Sequence, residues 1–79
     1  MPRYYFHVNG PGARLTDEQG MVLPDTEAAW YQAVRHAREL IRGDLHLGTS
    51  WEGQAIEIAD DEGAPLDRLP LADIAGYAT

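Results

Sequence analysis

The sequence predicts an α+β fold: a small antiparallel sheet of about four strands, in the order β-β-α-β-β along the chain, with one long helix packed on one face. Three observations carry this prediction. The opening Arg3-Tyr4-Tyr5-Phe6-His7-Val8 reads as a strand, whose neighbouring side chains point to opposite faces. From Trp30 to Ile41 the apolar residues recur at a helical period. Two stretches of one pattern, Asp17-Glu18-Gln19-Gly20 and Asp60-Asp61-Glu62-Gly63, place a turn before and after that helix.

In the first strand Tyr4, Phe6 and Val8 share one face; Arg3, Tyr5 and His7 share the other. Asn9-Gly10-Pro11-Gly12 ends it, because Gly and Pro together mark a loop. Arg14-Leu15-Thr16 and Met21-Val22-Leu23 flank the first acidic turn and read as a short hairpin, with Gly20 in the positive-φ position. Pro24-Asp25-Thr26-Glu27 is a helix start: Asp25 or Thr26 caps free N–H groups, and Glu27 suits the positive end of the dipole. Trp30, Ala33, Val34, Ala37, Leu40 and Ile41 fall on one side of this helix, and Arg35, Arg38, Glu39 and Arg42 on the opposite side. Gly43 is one stop; the favoured reading runs on to residue 47, with Gly48 as the cap and Asp44 towards the buried side.

Ala55 to Ala59 reads as a strand with Ile56 and Ile58 inward and Glu57 outward. The second acidic turn reverses the chain, and Pro65 to Leu69 returns beside it. Pro65 and Pro70 lack ladder donors, so this strand belongs at an edge. Leu71 to Ala75 suits one helical turn after Pro70, and the chain from Gly76 on is expected to be loose. Both acidic turns are followed by two residues and then a leucine, Leu23 and Leu66, which reads as one hairpin solution used twice.

A chain of 79 residues implies one domain, 1–79. Without cysteine there is no disulfide framework, thiolate metal site or cysteine nucleophile, and a cytoplasmic location is favoured. No apolar run is long enough to span a bilayer. The net charge of -7, from 13 acids against 6 arginines and no lysine, opposes binding to nucleic acid or anionic lipid. The missing lysine also removes P-loop and Schiff-base chemistry.

Met1-Pro2-Arg3-Tyr4-Tyr5-Phe6-His7-Val8 resembles the opening of a family of short uncharacterised bacterial proteins, with Tyr5 in place of the commoner Phe. Asp17-Glu18-x-Gly20, Leu23-Pro24-Asp25, Ala37-x-Glu39-Leu40 and Asp61-x-Gly63 resemble the same pattern. That family is catalogued as a domain of unknown function. The resemblance implies one complete domain and supplies no catalytic residues.

Neither metal nor catalytic chemistry is expected. His36 and His46 stand about 15 Å apart along one helix, and His7 lies on a distant strand. Asp60-Asp61-Glu62 is too compressed for a calcium loop. Asp44 alone among the acids has a claim to a semi-buried helix position, and Ser50, the one serine, lacks a nucleophile context. No cofactor is implied. Two surfaces remain. Arg35, Arg38 and Arg42 form a helix stripe near Tyr31, either a solvated face with Arg35 paired to Glu39 or an anion-binding strip. One helix covers one sheet face, so the other face shows Tyr5 and His7, with Trp51 nearby, as contacts for a second subunit or partner. The expected function is a small non-enzymatic protein-interaction module that self-associates or binds a protein partner. The alternative is a regulatory nucleic-acid-binding or antitoxin-like protein using the arginine stripe.

Overall fold

The structure, a computed structural model, describes residues 1–42 and 53–78. The elements are β1 (Arg3–Gly10), β2 (Ala13–Leu15), β3 (Met21–Val22), α1 (Thr26–Ile41), β4 (Ala55–Ala59), β5 (Pro65–Pro70) and α2 (Leu71–Ala78). The fold is α+β, with an antiparallel sheet and one main helix, in the order β-β-β-α-β-β. Neighbours in the sheet run β2-β1-β4-β5, and β3 also pairs with β1.

β1 leads into β2 through Gly10-Pro11-Gly12-Ala13. Proline at the second position and Gly12 at φ 72° at the third are the signature of a type II turn. The expected hairpin between the segments flanking Asp17-Glu18-Gln19-Gly20 does not form. β2 pairs with Val8, Asn9 and Gly10, and β3 with Arg3 and Tyr4, both antiparallel to β1. Two strands antiparallel to one partner run in the same direction, so they cannot pair as a hairpin. They lie end to end along β1, and the acidic turn bridges the gap. Gly20 does take a positive φ of 69°.

Of the two expected caps, Asp25 and Thr26, α1 uses the first: the Asp25 carboxylate accepts the Ala28 N–H at 2.9 Å. Its buried ridge is Ala29, Ala33, Ala37 and Leu40, with Val34 and Ile41 partly buried beside it. Trp30, expected on this ridge, is 36% exposed. The physical reason is size. The sheet presents Tyr4, Phe6, Val8, Ile56, Ile58 and Leu69 to the helix, and a row of methyl groups at i, i+4 lets the two layers close on these large side chains. An indole on that row would force them apart. Each of the larger aliphatic side chains so buried contributes about 1.5–3 kcal/mol. α1 ends at Ile41 with Arg42 at the C-cap; the expected continuation to residue 47 and the Gly48 cap lie outside the described residues.

β4 and β5 form the expected hairpin across Asp60-Asp61-Glu62-Gly63, with a register shift between Ile58 and Ala59, and β5 is an edge strand. α2 continues past the expected single turn to Ala78. Leu71 and Ile74, at i and i+3, bury one side of its first turn against the core, where α2 packs on α1 and β5.

Candidate functional site

On its β2–β3 side, β1 has a gap between Tyr4 and Val8 where no strand pairs with it. The Asp17 carboxylate fills the gap. Its Oδ2 accepts the Phe6 N–H at 3.1 Å, as a neighbouring strand's carbonyl would. Its Oδ1 accepts the N–H groups of Gln19 and Gly20, both at 3.1 Å, which closes the turn. The Asp17 N–H in turn donates to Nδ1 of His7 at 3.0 Å. Burial pushes the Asp17 carboxyl up, but the N–H donors of Gly20, Phe6 and Gln19 and the nearby His7 outweigh it, so its pKa is lowered. Arg3 Nη1 ties the turn down through the Gln19 carbonyl at 2.8 Å.

This clasp decides what happens on the second sheet face. His7, expected to be displayed there, is only 8% exposed, and the Tyr5 ring lies nearly parallel to it with centroids 6.4 Å apart. Tyr5 is half-buried, with Gly20 against its ring edge. His7 is therefore engaged within the fold and offers little surface to a partner. Trp51, the third expected contact, lies outside the described residues, as do Asp44, His46 and Ser50. The same face carries the ion pair of Arg14 and Glu57, at 3.1 Å.

Arg35, Arg38 and Arg42 lie on the outer ridge of α1, all exposed, with Tyr31 62% exposed among them. The expected Arg35–Glu39 pair does not form; among the described residues the ion pair is Arg14–Glu57.

Two grooves flank α1. One, of about 560 Å³, runs between Gln32, His36 and Glu39 of the helix and the Leu15–Met21 segment, over Phe6 and Val8. The other, of about 540 Å³, lies between the start of α1 and β5. Its walls are Thr26, Glu27 and Trp30 from the helix and Leu66 and Asp67 from β5, and Ile58 forms the floor. Trp30 and Leu66 are large apolar side chains left exposed at its rim. Sequence reasoning missed this groove because it placed Trp30 in the core. The alanine row Ala29, Ala33, Ala37 was the available signal: it marks the closest approach to the sheet and displaces Trp30 to the flank.

Fold and surface together define a small α+β domain with one sheet face under a helix and open grooves on either side of that helix. The chain belongs to a family known as a domain of unknown function, DUF6894, whose model matches residues 3–72. No curated protein and no solved structure matches it. No helix among the described residues is long and apolar enough to cross a membrane.

Proposed function

We propose that this chain is a small protein-interaction module, self-associating or binding a protein partner, and that it works in the cytoplasm. One observation carries the reading: Trp30 and Leu66 stand exposed on either side of a groove floored by buried Ile58. Tryptophan is strongly enriched among the residues that dominate interface energies, and a cleft beside it gives a partner side chain somewhere to go. The absence of cysteine fits a reducing compartment.

The test pairs two measurements on wild type and Leu66→Asp. Mass in solution is followed by light scattering over a concentration series, and a random peptide library is panned on both proteins. A dimer or an enriched peptide that Leu66→Asp abolishes is the expected result. A monomer with no Leu66-dependent binder overturns the reading.

A second reading, regulatory nucleic-acid binding, is favoured by Arg35, Arg38 and Arg42 being exposed beside Tyr31. The net charge of -7 works against it. Binding of this kind weakens steeply with salt and is lost in Arg38→Glu.

A further inference from the structure

We infer that the groove between α1 and β5 takes a basic peptide segment, which seats an apolar side chain over Ile58 between Trp30 and Leu66 and sets Lys or Arg against Glu27 and Asp67. The inference rests on the interaction-module reading and names its partner. Three observations carry it. First, among the described residues the charged side chains lining the groove are Glu27 and Asp67, both acids and both exposed. The positive end of the α1 dipole lies close by, but Asp25 already occupies the Ala28 N–H and Glu27 sits in the first turn, so the rim presents negative charge. Second, in a two-fold contact centred on this groove, a second copy would bring the same two acids to the same rim, each copy carrying a net charge of -7. Like charges meeting across a two-fold contact oppose it; a cationic segment is drawn in.

Third, the edge of β5 is poor in free donors for strand addition, one way for an edge to recruit a second copy. Leu71 donates to the Gln54 carbonyl at 3.0 Å, and the register continues as Ile56↔Leu69 and Ile58↔Asp67. Antiparallel alternation then turns the amide positions of Arg68 and Pro70 outward. The Arg68 N–H is taken by Oδ1 of Asp67 at 2.8 Å, and Pro70 has no N–H. The occupant is therefore held by side chains in the groove, not by main-chain pairing along the edge.

The experiment titrates the full chain with three labelled peptides of one leucine pattern, carrying Lys, Gln or Glu at the remaining positions, and reads fluorescence anisotropy. The Lys peptide is expected to bind and the other two not. Glu27→Gln/Asp67→Asn, which keeps the Oδ1 acceptor for Arg68, should weaken binding about tenfold. Glu18→Gln/Glu39→Gln makes the same charge change at the groove on the other side of the helix and should leave it unchanged. Circular dichroism checks that each variant folds. Equal binding of the Gln or Glu peptide, equal weakening by both double variants, or no binding of the Lys peptide overturns the inference. A dimer or a non-basic peptide abolished by Leu66→Asp overturns it while the interaction reading stands. If nothing bound depends on Leu66, both fail.

Discussion

The turns at Asp17–Gly20 and Asp60–Gly63 have one sequence pattern and the same two local devices, a back-folded aspartate and a positive-φ glycine, yet they do different work. In each, the leading aspartate folds an oxygen back onto the turn: Asp17 Oδ1 accepts from Gln19 and Gly20, and Asp60 Oδ1 from Glu62 and Ala64. Each glycine has positive φ, 69° at Gly20 and 83° at Gly63. The second turn does no more than join β4 to β5. The first sits against β1, where Asp17 also holds the Phe6 N–H and its own N–H holds His7. Local chemistry makes a turn; what the turn is pressed against decides whether it is a connector or a part of the sheet.

The glycines break this comparison most sharply. A Cβ at Gly20 would stand 2.8 Å from the Tyr4 carbonyl oxygen and 2.9 Å from both Arg3 Cγ and Tyr5 Cε2, whereas a Cβ at Gly63 meets nothing within 4 Å. Gly20→Ala therefore adds a backbone clash to the left-handed penalty and should lose about 3 kcal/mol of unfolding free energy in urea titration. Gly63→Ala bears only the φ penalty, about 1 kcal/mol. Equal losses would mean that the first turn is not held against β1.

The aspartates come next. Asp17→Ala strips partners from three N–H groups, including that of part-buried Phe6, and is expected to cost about 2 kcal/mol. Asp60→Ala removes only turn-closing bonds at an exposed site, for about 1 kcal/mol. Hydrogen exchange separates the two further: the Phe6 amide should lose protection in Asp17→Ala and keep it in Asp60→Ala. A Phe6 amide indifferent to Asp17 would sink the clasp.

The smallest effect is in acid. The folded-state pKa of Asp17 is lowered, so its contribution is whole above the unfolded aspartate value of about 3.9 and is lost as pH falls through the lower folded value. Asp17→Asn should accordingly flatten the acid limb of the stability profile below about pH 4. An unchanged slope would show that the carboxylate's charge is not what the surrounding N–H groups hold.

Much of the fold was legible in the sequence because local rules set it. The strand β4, the cap at Asp25, the positive-φ glycines and the edge position of β5 follow from alternation, side-chain capping, turn chemistry and proline's missing donor. The misplacements share one cause. A helical wheel weighs hydrophobicity and gave Trp30 to the core; it holds no term for the size of the side chains on the opposing sheet, and those select the alanines. Likewise, period two assigned His7 to the outward face correctly, but nothing in that period says that a turn ten residues along will fold onto it.

The sequence by itself determined where most of the elements lie, the start of α1, the positive φ of Gly20 and the sheet face that the residues of β1 and β4 occupy, since these depend on neighbours within a few positions. Only the tertiary structure decided that β2 and β3 share one edge of β1, that Asp17 completes that edge, and that the groove beside Trp30 stays open. Those outcomes depend on which surfaces meet, and on the sizes of side chains brought together from distant parts of the chain.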